Sequence, residues 1–251
     1  MVDESVHSLA WEEGEVPVSE RFDDTFYSRH DGRAEAAYVF LGGNALPQRF
    51  AEKERFVIAE LGFGTGLNFL ETWRQWIATR RSGQQLRFVS FEWYPLEASD
   101  MARALARWTE LTPLASQLVE QWAQRTPESA APCEWQMDQQ TELCIVPGDA
   151  GVTLQQWDGA ADAWYLDGFA PARNADMWGA ELRRCVFQHT MPGGSFATYT
   201  AAGWVRRYLI GAGFAVEKHP GFAGKREMMR GVKPQRNGPD KDGRAVDWDQ
   251  E

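Results

Sequence analysis

Cysteine is scarce in this chain. Three occur in 251 residues, Cys133, Cys144 and Cys185, and no two form a CxxC pair. An odd count without metal or redox spacing excludes a disulfide-stapled scaffold and points to buried, reduced thiols in a cytosolic protein. The four histidines, His7, His30, His189 and His219, are scattered without ligand spacing. They read as surface or capping residues, and no metal is expected. Long apolar runs are missing as well. Nothing approaches the roughly 18 residues of a membrane span, and the opening MVDESVHSLAWEEGEVPVSE has no apolar secretory core. Basic excess is also absent: 26 Lys+Arg face 36 Asp+Glu, a net charge of −10. That argues against a protein that coats nucleic acid by bulk charge, while leaving room for a local basic patch. The expectation is a cytoplasmic protein with no membrane partner.

What is present is an ordinary globular composition, 43% hydrophobic and 25% charged. A chain of this length buries about three-quarters of its unfolded surface and needs no staple. From Phe56 onward, short apolar runs alternate with helical spacing. FVIAEL, QLRFVSFE, ADAWYLD and GSFATYT read as strands. LNFLETWRQWIATRR, GVTLQQW, ADMWGAELRRCVFQHT (stopped by MPGG) and AGWVRRYLIGAG read as helices. Leu96 to Ala123 reads as one or two helices broken near Thr112-Pro113, and Glu134 to Val146 as strand or hairpin. Such alternation predicts an α/β fold with a parallel sheet covered on both faces. The closing runs FAVEKHP and KREMMRG are joined by few residues and are predicted to pair antiparallel. An HDG turn between Tyr27 and Tyr38 suggests a hairpin ahead of the main domain. The division predicted is a β-rich extension over 1–50, a main domain over 51–232 and a loose tail over 233–251.

The first chemical motif is Glu60-Leu61-Gly62-Phe63-Gly64-Thr65-Gly66, between a strand and a helix. Glycine there permits a tight turn and close approach of backbone to a ligand. The spacing is not the GxGxxG of a dinucleotide site, and no P-loop lysine follows. Glu60 suits an ammonium or a main-chain amine better than a pyrophosphate. Glu92 ends the next strand, where an acid accepts from ribose hydroxyls. Gly148-Asp149 closes a later strand and suits an adenine amino group. Together these fit S-adenosylmethionine better than NAD.

The second motif is LDGFAPARN, residues 166–174. Asp167 ends a strand at the ligand-binding edge of the sheet. An alkylammonium must lose a proton before it attacks a methyl sulfonium, and Asp167 is placed to take it. Gly168 and Pro171 fix the loop, and Asn174 is a candidate cap for the next helix. Phe169, Trp178 and Tyr199 are candidate walls for a flat base. The third motif, Gly224-Lys225-Arg226, offers a phosphate clamp that Arg183, Arg184, Arg206 and Arg207 would extend if they share a face.

The stretches YVFLGGNAL, ELGFGTGLNFL, SFEWYPL, YLDGFAPARNADMW and GFAGKREMMRG resemble the methyltransferase half of the bacterial bifunctional tRNA-modification proteins of the MnmC family, over about Arg21 to Gly231. The resemblance implies a class I, Rossmann-like methyltransferase with a seven-stranded sheet. It implies N-methylation of the 5-aminomethyl group of wobble (2-thio)uridine in the tRNA anticodon loop, with S-adenosylmethionine as cofactor. By the motif matches, Glu60, Gly62, Gly64, Gly66, Asn68, Glu92, Asp149 and Ala150 would line the cofactor site. Asp167 would face the reacting amine. Asn44, Phe169, Pro171, Trp178, Lys225 and Arg226 would shape the pocket or hold the RNA. The bifunctional proteins continue into an FAD-dependent oxidase, whereas this chain stops soon after the methyltransferase motifs. The expectation is a stand-alone methyltransferase supplied by a separate enzyme, such as an FAD-dependent oxidase. Two other readings stand beside it: a small-molecule amine methyltransferase on the same fold, and a non-catalytic S-adenosylmethionine-binding protein.

Overall fold

The strands that read as continuous apolar runs lie at the centre of the sheet, buried on both faces. In the computed structural model, which describes residues 8–126 and 129–235, β4 (Arg55–Leu61), β5 (Gln85–Glu92), β7 (Thr141–Pro147), β8 (Ala161–Leu166) and β9 (Thr190–Thr198) run parallel. An antiparallel partner closes each side: β6 (Cys133–Asp138) on β7, and β11 (Met228–Val232) on β9, followed by β10 (Ala215–His219). The order is β10-β11-β9-β8-β4-β5-β7-β6. The sheet therefore has eight strands where seven were expected. The extra one is β6, the first arm of the hairpin read at Glu134 to Val146.

Period-two alternation divides the core between the faces. Phe56, Ile58, Leu86 and Phe88 point to one face, with Phe69, Leu70, Trp73 and Trp76 of α2 (Leu67–Thr79). Ala59, Leu61, Val89 and Phe91 point to the other, with α5 (Ala150–Gln156), α6 (Ala180–Gln188) and α7 (Gly203–Gly211). Two further helices, α3 (Ala98–Leu105) and α4 (Thr112–Ala123), join the first core through Met101, Leu118 and Trp122.

The N-terminal region differs from its prediction. Three short strands, β1 (Leu9–Glu12), β2 (Val16–Ser19) and β3 (Asp24–Thr25), form a small antiparallel sheet. The expected hairpin across HDG is helix instead. Asp31 accepts a hydrogen bond from Ala34 N at 3.0 Å and caps α1 (Gly32–Glu35), which continues as a π-helical segment over Ala36–Gly42. Burial of Val39, Phe40 and Leu41 in the α2-side core outweighs their strand propensity.

Other boundaries moved for local reasons. The break between α3 and α4 falls ahead of Thr112, because Pro113 sits in the first turn of α4, where its missing N–H costs nothing. The helix read from Ala175 splits at Gly179 into a 3-10 turn over Ala175–Trp178 and α6, and MPGG opens β9 rather than ending the helix. The tail expected from Lys233 is tied down at its start: Lys233 N donates to Gly194 O at 2.8 Å and its Nζ to Thr190 O at 2.8 Å. The remainder of that tail, and His7, lie outside the described residues. Cys133, Cys144 and Cys185 are free thiols, two of them buried. No helix among the described residues is long and apolar enough to cross a membrane.

Candidate active site

Strand order reverses direction at β4 and β8, so a crevice opens beyond their carboxyl ends. Leu61 pairs with Leu166, which brings the loops starting at Gly62 and Asp167 side by side. A cavity of about 790 Å³ occupies this crevice, within the range of cofactor and ligand sites.

The glycine turn forms one wall. Gly62, Gly64 and Gly66 have φ of +82°, +53° and +78°, values that residues with a Cβ rarely adopt. The Gly64 N–H donates to Glu92 Oε2 at 2.9 Å, and the Tyr94 N–H donates to Oε1 at 2.7 Å. Burial raises the pKa of Glu92, and these donors work against that rise. Each oxygen of this fixed carboxylate retains acceptor capacity for a hydroxyl. Asp149 caps α5 by accepting from Gly151 N at 2.8 Å, and it lines the cavity beside Ala150.

A line of three polar groups crosses the floor. Asn68 Nδ2 donates to Glu60 Oε1 at 2.9 Å and to Asp167 Oδ2 at 2.7 Å. Glu60 is fully buried, and Ser90 Oγ lies 2.7 Å from its other oxygen. Burial, reinforced by the Asp167 charge, holds Glu60 well above the usual carboxylate range, while the Ser90 and Asn68 hydrogen bonds pull the other way. Asp167 faces the cavity. Burial pushes its pKa up to about 7; the Asn68 and Gly168 donors and Lys225 pull down, and Glu35 pushes up. Burial thus raises both carboxyls, and Asp167, the one that faces the cavity, is brought to about 7, a value suited to moving a proton.

The Asp167 loop is braced from three sides. Tyr199 OH donates to Gly168 O at 2.8 Å, Trp178 Nε1 donates to Phe169 O at 2.9 Å, and Ala170 N donates to Asp24 Oδ2 at 2.8 Å. The N-terminal arm adds Phe22, stacked on Phe169 at 4.6 Å, and Phe26, edge-on to it at 5.1 Å. Arg21 lies 4.4 Å over the Tyr94 ring.

Of the residues singled out in the sequence, Gly62, Gly64, Asn68, Glu92, Asp149, Ala150, Asp167, Phe169, Tyr199 and Lys225 line the cavity together. Glu60 lies one layer beneath. Gly66 faces away from it: a Cβ there would meet Leu118 at 2.8 Å and Phe63 at 3.0 Å, so packing requires this glycine. Asn44 does not reach the cavity. It is buried, with Nδ2 donating to Phe40 O at 2.9 Å and Trp164 O at 3.2 Å, and Oδ1 accepting from Ser195 Oγ at 2.6 Å. Pro171 and Trp178 are buried behind the loop they shape. Arg226 is exposed outside the cavity, because β11 begins only at Met228.

The wider arginine patch does not form. Arg183 is buried against Trp178, its guanidinium 5.2 Å from the ring, and burial lowers its pKa to about 9. Arg184 pairs with Glu181 at 2.8 Å on the surface. Arg21, Phe22, Asp24, Phe26 and Glu35 line the cavity without having been singled out. RFDDTF, residues 21–26, carries no spacing signal, since its contacts close across about 150 residues of chain, and Glu35 meets Lys225 across 190.

A close-approach glycine turn, a fixed carboxylate at a strand end and a capped helix beside it suit a nucleoside. No Lys or Arg lies in the turn to meet a pyrophosphate. Residues 109–234 match the profile of a family described as S-adenosyl-L-methionine-dependent methyltransferase. The chain belongs to this methyltransferase family. It is 44% identical over 242 residues to the tRNA 5-methylaminomethyl-2-thiouridine biosynthesis bifunctional protein MnmC of Marinobacter nauticus, covering 90% of this chain and 36% of that protein. It is likewise 44% identical over 229 residues to the MnmC protein of Chromohalobacter salexigens, covering 89% and 32%. The chain thus spans about a third of the length of these curated relatives. The methyltransferase fold also matches the structure of MNMC2 from Aquifex aeolicus, with a TM-score of 0.75 at 18% identity, covering 93% of this chain and 72% of that one.

Proposed function

We propose that this methyltransferase N-methylates the 5-aminomethyl group of wobble (2-thio)uridine in tRNA, giving the 5-methylaminomethyl nucleoside. The observation that carries the reading is Asp167: a cavity-facing carboxyl with a pKa near neutrality, bridged by Asn68 to the buried Glu60. The names of the two MnmC relatives support the choice of substrate.

Gly62, Gly64, Asn68, Glu92, Asp149 and Ala150 would hold S-adenosylmethionine, which when bound supplies a methyl group on a sulfonium. The protein's task is to present a neutral amine to it. A primary alkylamine enters as an ammonium, and the Asp167 carboxylate binds it, accepts one proton and leaves the nitrogen lone pair exposed. Asn68 orients this carboxyl by donating to its Oδ2. Phe169 and Phe22 offer a stacking surface for an unstacked base, which suits recognition of a flipped nucleotide. A separate or fused oxidase would supply the aminomethyl group by removing a carboxymethyl substituent.

The test is methyl transfer from labelled S-adenosylmethionine to tRNA carrying aminomethyluridine at the wobble position, with nucleosides resolved by mass spectrometry. One added methyl on that nucleoside alone is expected. Transfer to free polyamines at equal efficiency, with none to tRNA, would replace this reading with a small-molecule amine methyltransferase.

A further inference from the structure

The mouth of the cavity holds an alkylammonium of the protein's own. Lys225 projects from the loop joining β10 to β11. Ala223 (φ +47°) and Gly224 (φ +82°) turn that loop back toward the sheet, and Lys225 N closes the turn on Phe222 O at 3.0 Å. An alanine at positive φ is strained, so the surroundings fix this path. Lys225 Nζ lies 2.6 Å from Glu35 Oε1 and 4.9 Å from the centre of the Tyr199 ring. Tyr199 is oriented by its bond to Gly168 O, the residue after Asp167. A carboxylate and an aromatic face thus hold one primary amine, whose charge reaches the proposed proton acceptor, Asp167.

We infer that Glu35 and Tyr199 form the amine-recognition subsite, and that Lys225 is its resident occupant in the free protein, displaced when the substrate's amine enters. This rests on the amine-methylation reading above. The Glu35 side chain is only 12% exposed, and a carboxylate so placed needs a cationic partner. Lys225 supplies one while the site is empty. A substrate aminomethyl group is the same chemical unit, a primary ammonium on a methylene, and replaces it without leaving Glu35 unpaired. A hydroxymethyl analogue would leave Glu35 without a cation, so the exchange selects for amines. The Lys225 side chain is 46% exposed and has solvent to swing into. Its occupancy lowers the apparent affinity for substrate by the fraction of molecules in which the subsite is filled.

The test titrates the full chain, saturated with S-adenosylhomocysteine, with 5-aminomethyluridine and 5-hydroxymethyluridine by calorimetry. Neither nucleoside carries a phosphate, so a phosphate-clamp role for Lys225 does not enter. Lys225→Met is expected to tighten binding of the amine about 3- to 10-fold and leave the alcohol unchanged. Glu35→Gln is expected to weaken amine binding at least about tenfold, both alone and combined with Lys225→Met. Unchanged or weaker amine binding by Lys225→Met, or no amine preference in that variant, overturns the inference. A Glu35→Gln effect that vanishes in the Lys225→Met background reduces Glu35 to an anchor for the lysine and also overturns it. Failure of the methylation reading looks different: no methyl reaches aminomethyl tRNA, while Lys225→Met still gains amine-selective binding.

Discussion

Asp167 carries a cost in the folded protein that sets its pH behaviour. Its folded pKa of about 7 lies above the ordinary carboxylate value, so the native state holds a proton that the unfolded chain releases. The favourable contribution is complete at acid pH and is lost as pH rises through about 7. Asp167→Asn removes the ionisable group and the loss with it. Its stability gain over the parent is expected to grow between about pH 5 and about pH 8, reaching ~2 kcal/mol once water in the cavity is allowed for. Melting temperatures at both pH values check this; a gain independent of pH would contradict it. Gly64 is constrained differently. Its φ is +53°, and a Cβ there would lie 3.1 Å from Phe26. Gly64→Val should distort the turn whose N–H fixes Glu92, and weaken S-adenosylmethionine binding by at least about tenfold. Calorimetry on a variant shown to be folded decides it. At this scale the site was partly legible. Asp167, Glu92 and the glycines sit in contiguous motifs at strand ends, where chemistry and chain position coincide. Asp24 and Glu35 reach the cavity through partners 146 and 190 residues away, and no local pattern marks such closure.

Elements owe their stability to which faces they bury. Trp76 of α2 is fully buried and packs edge-on to Phe50 at 5.1 Å, yet its Nε1 has no hydrogen-bond partner among the described residues. Trp76→Ala should destabilise by about 3–5 kcal/mol. Trp76→Phe should lose under about 1.5 kcal/mol, because it keeps most of the packing and removes an unsatisfied donor. Denaturant melts of both variants test the contrast. The central strands were legible because continuous apolar runs bounded by glycine have few other solutions. The segment from Asp31 to Gly42 was not: Tyr38, Val39 and Phe40 favour strand locally, and the Asp31 cap together with burial of Val39, Phe40 and Leu41 makes it helix. The extra strand β6 was legible as a hairpin arm, but its place at the sheet edge comes from pairing with β7.

Over the whole molecule, net charge −10 would limit how the tRNA of the proposed function is held. The cationic groups at the cavity are few, chiefly Arg21, Arg29 and Lys225, and Arg29 and Lys225 already pair with Glu12 and Glu35. Binding of tRNA should therefore depend weakly on salt, with a log–log slope corresponding to about two or three phosphates. A slope demanding six or more would place the interface elsewhere.

The central claim is that Asp167 takes the proton from a substrate amine. The direct measurement is the single-turnover rate of methyl transfer to aminomethyluridine tRNA across pH, for the parent and Asp167→Asn at saturating S-adenosylmethionine. The account predicts a parent rate that falls as pH drops below about 7, and a variant slower by about 10²–10⁴-fold near neutrality with cofactor affinity unchanged. A variant that keeps the parent rate at every pH would contradict it.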